Sequence, residues 1–268
     1  MEYMINVGRQ LMDLSEPKVM GILNVTPDSF HAASRAETKQ AVQERALELA
    51  AQGAAIIDIG ACSTRPGADF ASEAEETERL RMALRVVRHA MPEAVLSVDT
   101  FRPTVAAMAV KEFGVDIIND VSGGNAEMFR LVSRLQVPYV LTSTKATVRD
   151  ILLDFAEKVQ QLRFLGQNDI LLDPGFGFGK TLEQNYEILY NMEKLQVMEL
   201  PLLVGLSRKS MIWKTLDITP AEALNGTTAL NTIALMKGAS VLRVHDVRES
   251  VECVKLVAAT MPQHIVQE

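Results

Sequence analysis

The sequence predicts a single-domain (β/α)8 barrel of the TIM type. Three observations carry this reading. Eight short apolar runs recur along the 268 residues, helical segments lie between them, and no linker or low-complexity stretch divides the chain. The runs are rich in β-branched residues and bounded by Gly, Pro, Asn or Asp, which marks buried strands. A doubly wound open sheet shows the same alternation, because sequence does not show closure. Residues 1–268 are read as one domain, with 1–17 as an N-terminal extension.

Lys18–Asn24 (KVMGILN) opens the series and 54–60 (AAIIDIG) follows. The third to fifth runs are 94–100 (AVLSVDT), 116–122 (DIINDVS) and 138–143 (PYVLTS). The last three are 170–175 (ILLDPG), 201–206 (PLLVGL) and 241–246 (VLRVHD). Between them, 38–52 sets Val42, Ala46, Leu49 and Ala50 on one helical stripe, and Glu73–Ala90 does so with Leu80, Leu84 and Val87. In the last helix Val247, Val251, Val254 and Ala258 form the stripe, with Arg248, Glu249, Glu252 and Lys255 off it.

Composition narrows the function classes. A formal charge of −7 argues against a general nucleic-acid or anionic-membrane binder, since either needs a basic face. The two cysteines, Cys62 and Cys253, build neither a disulfide framework nor a metal-ligand pattern, so reduced thiols in a cytoplasmic protein are expected. No segment reaches the roughly 18 apolar residues of a membrane span, and residues 1–18 lack the pattern of a signal peptide.

In such barrels the active site forms at the C-terminal ends of the strands. Those ends read Asn24, Asp58, Asp99, Asn119 with Asp120, Thr142, Asp173, Ser207-Arg208-Lys209, and Arg243 with His245. Singly, each suits a helix cap or turn; together on one rim they suit a ligand site. Asp99, Asn119, Asp173 and Lys209 fit a flat heterocycle carrying an amide and an amino group, because a carboxylate accepts two N–H bonds at once. Asn24, Arg65, Arg243 and His245 form a net cationic set suited to a phosphate or pyrophosphate. Arg65 also reads as a surface ion-pair residue.

The stretch LLDPGFGFGKT (171–181) imitates a nucleotide-binding P-loop. That motif needs a glycine five residues before Gly179, where this chain has Pro174. The glycines are therefore read as turn formers following Asp173, with Lys180-Thr181 opening the next helix and Thr181 as its cap.

Seven segments in order resemble the motifs of the dihydropteroate synthase family: GILNVTPDSF (21–30), DIGACSTRPGA (58–68), SVDTFRPTVA (97–106), INDVSGG (118–124), DPGFGFGKT (173–181), GLSRKSMI (205–212) and GTTALNTIALMKGASVLRVHDV (226–247). The resemblance covers most of the chain. It implies condensation of a dihydropterin pyrophosphate with p-aminobenzoate, with Mg2+, in a sulfonamide-sensitive step of folate synthesis, by a homodimer. It implies that Asp99, Asn119, Asp173 and Lys209 hold the pterin. Asn24, Thr64, Arg65, Arg243 and His245 would hold the pyrophosphate, with Asn24 also at the Mg2+. Phe30, Arg65, Pro66, Phe178, Lys209 and Ser210 would face p-aminobenzoate. Asp173, Lys209, Arg243 and His245 would carry the catalysis.

Two segments depart from the family pattern. After DSF the family continues Ser-Asp-Gly-Gly, whereas this chain reads HAASRAE, leaving Asp28 as the nearby acid; His31 reads as a solvated loop residue. After the fifth run the family reads MHMxGTP, with a methionine on the pterin; this chain reads VLTSTKATVRD, which brings Thr142 and Ser143 to the rim and shortens the loop. The alternatives are the pterin-binding barrel of a corrinoid-linked methyltransferase, which has no need of STRPG or SRKS, and a catalytically silent pterin-binding paralogue.

Overall fold

The computed structural model describes residues 3–8, 10–26, 35–62 and 71–260. Eight parallel strands close into a barrel in chain order: β3 (Lys18–Asn24), β4 (Ile56–Gly60), β5 (Leu96–Asp99), β6 (Ile117–Asp120), β7 (Tyr139–Thr142), β8 (Ile170–Asp173), β9 (Leu202–Val204) and β10 (Ala239–Val244). Strand β10 pairs with β3 through Val241–Lys18 and Arg243–Met20, which closes the sheet and removes the open-sheet alternative.

All eight expected runs are strands. The seventh shortens to three residues, and the eighth starts earlier, at Ala239, where a register shift between Ala239 and Val241 accommodates it against β9. Helices α1 (Arg35–Ala51), α2 (Glu73–Ala90), α3 (Pro103–Phe113), α4 (Ala126–Leu135), α5 (Val148–Phe164), α6 (Leu182–Tyr190), α7 (Ser210–Leu216), α8 (Leu224–Met236) and α9 (Val247–Ala259) follow the strands. Their starts obey local chemistry. The Ser72 and Thr181 hydroxyls accept from the backbone three residues on while Glu75 and Gln184 reach back, a reciprocal cap at α2 and α6.

The N-terminal segment forms an antiparallel hairpin, β1 (Met4–Val7) with β2 (Gln10–Asp13). Its Ile5 and Val7, with Leu14 just beyond, pack on Met20, Ile56, Ile117, Val140, Leu171, Leu203 and Val241. These seven come from seven different barrel strands and form an apolar floor inside the barrel. Side chains alternate along a strand with period two. On five of these seven strands the next position of the same parity is Asp58, Asn119, Thr142, Asp173 or Arg243, while above Met20 and Leu203 it is Ile22 and Gly205. The same parity that fills the floor with Ile, Val and Leu lines the mouth with polar groups.

Because Ile5 is fully buried in this floor, Ile5→Ala should lower the unfolding free energy by about 2–4 kcal/mol. Urea denaturation reads this as a shifted midpoint. An unchanged midpoint would show that the hairpin lies outside the cooperative unit.

Candidate active site

At the mouth, Arg243 on β10 reaches between two carboxylates. Its Nε donates to Asp58 Oδ2 at 2.7 Å and its Nη2 to Asp99 Oδ2 at 2.7 Å. Asn119 Nδ2 donates to the same Asp58 oxygen at 3.2 Å. Asp58 and Asn119 are fully buried, and Asp58 Oδ1, Asn119 Oδ1 and Thr142 Oγ1 are buried without a hydrogen-bond partner. Buried polar atoms are seldom left unmatched. Unmatched buried oxygens at the ends of β4, β6 and β7, two of them acceptors only, suit a ligand that brings donors.

Electrostatics agree with that polarity. Burial pushes Asp99 up to about 7; Arg243 opposes the rise, while Asp58, Asp120 and Glu76 add to it. Burial also raises Asp173 against the pull of Lys209 and of the Gly175 N–H, which donates to Asp173 Oδ1 at 2.8 Å. Lys209 is brought down to about 8 by burial, against the attraction of Asp173. Its ammonium donates to the Phe176 carbonyl and stands 4.8 Å from the centroid of the Phe178 ring. Asp173, Lys209 and Phe178 are thus neighbours.

The glycine turn has a mechanical explanation. Gly175, Gly177 and Gly179 all adopt positive φ, and a Cβ on Gly175 would lie 2.2 Å from the Ser143 carbonyl oxygen. Thr181 caps α6 as expected. Lys180 does more than open that helix. Its Nζ donates to the carbonyls of Gly175 at 2.7 Å, Ser143 at 3.1 Å and Phe178 at 3.5 Å, tying this turn to the end of β7. Sequence inspection had no signal for this, since the partners are backbone oxygens.

The remaining candidates divide. Asn24 ends β3 beside Asp99: a Cβ placed on Gly60 would be 3.6 Å from both Asn24 Oδ1 and Asp99 Cβ. His245 follows β10 two residues after Arg243, its Nδ1 3.1 Å from Ser207 Oγ. Ser210 opens α7 next to Lys209. Arg208 turns away, through a positive φ, into a two-pronged ion pair with Asp246 at 2.9 and 2.7 Å. Phe30, Thr64, Arg65 and Pro66, with Asp28 and His31, lie outside the described residues. Two readings need revision. Arg243 is bonded to Asp99 of the heterocycle set, so the two sets merge instead of standing apart. Asp58, noted only as a strand end, is the carboxylate that joins them.

A neutral Asp99 accepts fewer N–H bonds than its carboxylate. Below about pH 7 its proton must be lost before the ring binds, so affinity for a pterin should fall as the medium is acidified and level off above that value. Titration calorimetry between about pH 5.5 and 8 tests the sign; affinity that rises on acidification would contradict it.

Comparison with known proteins follows the same geometry. The family model described as pterin binding enzyme matches residues 20–245. The dihydropteroate synthase of Escherichia coli (strain K12) is 38% identical over 93% of this chain and 94% of its own length. The solved dihydropteroate synthase of Xanthomonas albilineans with 4-aminobenzoic acid superposes with a TM-score of 0.91 at 33% identity, covering 98% of this chain and 100% of that one. A Yersinia pestis dihydropteroate synthase in a sulfonamide complex gives 0.86 at 36% identity, covering 96% and 99%. The chain belongs to the pterin binding enzyme family and, within it, to the dihydropteroate synthases.

Proposed function

We propose that this chain condenses a dihydropterin pyrophosphate with p-aminobenzoate, releasing pyrophosphate, in folate synthesis. The observation that carries this is the gathering of Asp99, Asn119 and Asp173 at the barrel mouth with Lys209 beside Asp173, where the buried oxygens Asp58 Oδ1, Asn119 Oδ1 and Thr142 Oγ1 lack protein partners. The relatives named above, one holding 4-aminobenzoic acid and one a sulfonamide, support the aryl-amine half and a sulfonamide-sensitive site.

In this reading the pterin lies across the barrel mouth, its amide and amino edge on the carboxylates and its carbonyl toward Lys209. The C–O bond to the pyrophosphate breaks and positive charge spreads from the methylene carbon into the ring. The buried Asp173 carboxylate stabilises that charge, and Arg243 and His245 stabilise the departing oxygens. Arg243 keeps Nη1 for this task, since Nε and Nη2 are committed to Asp58 and Asp99. The aryl amine then attacks the methylene carbon from the side of Phe178, Lys209 and Ser210 and loses a proton. An aryl amine is a weak base with its lone pair available at neutral pH, so positioning supplies much of what remains.

Mg2+ fits the donor set as a substrate-borne ion. It keeps several waters and takes one or two protein oxygens beside substrate phosphates, and Asn24 offers one neutral amide oxygen at the rim next to Asp99. When bound it neutralises the pyrophosphate charge. The catalytic residues otherwise act through their own charges and hydrogen bonds.

We further propose a cytoplasmic homodimer. Ala229, Ile233 and Met236 expose an apolar stripe along α8, and Leu256 is exposed on α9. Sedimentation velocity should give a dimer, and Ile233→Glu with Met236→Glu should give a folded monomer. A wild-type monomer across the micromolar range would sink this part.

The activity is tested by incubating the protein with dihydropterin pyrophosphate, p-aminobenzoate and Mg2+ and following pyrophosphate release. Lys209→Ala should lower kcat/KM by roughly 10- to 100-fold, the scale of a hydrogen bond to a charged group. Pterin binding without pyrophosphate release would leave a silent paralogue. Full activity in the Lys209 variant would remove its role.

A further inference from the structure

The hydrogen-bond polarity of the pocket is set from behind the ligand surface. Asp58 is fully buried on β4 and accepts through Oδ2 from both Arg243 Nε and Asn119 Nδ2. A guanidinium offers only donors, so the Asp58 Oδ2 that meets Arg243 Nε is an accepting oxygen. The end of the Asn119 amide that faces it must therefore be the NH2 group. The amide oxygen is turned the other way, and it is buried without a protein partner.

We propose that Asp58 is a specificity-determining positioning residue. By taking Asn119 Nδ2 it presents Asn119 Oδ1 as an obligatory acceptor, so that the pocket selects a reduced pterin ring over an oxidised one. This rests on the pterin reading of the site. The 2-amino and 4-oxo edge is the same in both oxidation states of the ring. The reduced form adds a pyrazine-ring N–H at N8, where the oxidised form carries a lone pair. A wall of fixed acceptors pairs with the first and opposes the second. Asn119 Oδ1 lines that side with the carboxylates of Asp99 and Asp173 and the Thr142 hydroxyl between them, and Asn119 is the member whose amide would otherwise be free to present either end.

Asp58→Asn preserves shape and lets two amides face each other in either orientation. Wild-type protein and Asp58→Asn are titrated with 6-hydroxymethyl-7,8-dihydropterin and with its oxidised counterpart. Wild type should bind the reduced ring more tightly by about tenfold or more, the size of one mismatched buried hydrogen bond. In Asp58→Asn this ratio should shrink toward one. A parallel loss for both ligands, with the ratio intact, would show that Asp58 only holds Arg243 in place and would overturn the proposal. Equal affinity of wild type for the two rings would overturn it as well, while leaving the pterin reading standing. Failure of wild type to bind either ring would remove the pterin reading itself, and this proposal with it. Asn119→Leu keeps the Asp58–Arg243 pair and removes the acceptor. If Asp58→Asn does not fold, the ratio must still collapse in Asn119→Leu, and a retained ratio there would overturn the proposal.

Discussion

The mouth of this barrel is organised by one guanidinium held between two buried carboxylates. Arg243, Asp58 and Asp99 stand on β10, β4 and β5, so their contacts reach past the end of β3, the strand that lies between. Removing such charges from water costs several kcal/mol each, and only a well-formed pair offsets that cost. With two carboxylates on one cation the cluster keeps a net negative charge. Burial holds Asp99 up at about 7 against the pull of Arg243, and the nearby Asp58 adds to the rise. The arrangement is poised for a ligand that donates hydrogen bonds, because such a ligand stabilises the carboxylate that the protein only half supports.

Two lysines close the opposite side, and their tasks differ although both are brought down to about 8 by burial. Lys180 spends its donors on three backbone carbonyls and so acts as a clasp for the glycine turn. Lys209 commits to one carbonyl and the Phe178 ring, which leaves donors for the cavity. The glycines permit the turn, the clasp holds it, and Phe178 is delivered beside Lys209. The GKT letters that imitate a phosphate-binding loop serve a local structural purpose here.

Much of this was legible before the structure. Strand parity is a local property, so the eight runs and the polar residue at each strand end could be read from period and punctuation. Pairing across the barrel could not. Asp58 and Arg243 are 185 residues apart, and nothing in either neighbourhood names the other. Its charge groups Arg243 with the phosphate ligands, whereas its position in the interior also makes it a partner of Asp99. The role of Lys180 is illegible in the sequence for a different reason: a side chain bonded to carbonyls leaves no trace in the identity of its partners.

The end of β7 shows how a departure from the family pattern is absorbed. The resemblance implies a methionine lying on the ring here, but this chain has Thr142, whose buried Oγ1 lacks a protein partner. Beyond it Ser143 Oγ donates to Asp154 at 2.6 Å, and Asp154 pairs with Lys158 at 2.7 Å. Helix α5 then starts at once, with the Thr147 hydroxyl accepting from the Asp150 N–H as its cap. The short connection is held by its own side chains, so it has no need of the long loop to stay in place. What changes is the wall that the ligand meets. A hydroxyl that donates as well as accepts replaces an apolar thioether next to Asn119, on the strand paired with β6. In the proposed reading, ring recognition in this chain leans further on hydrogen-bond polarity, and less on apolar contact, than the family pattern alone would imply.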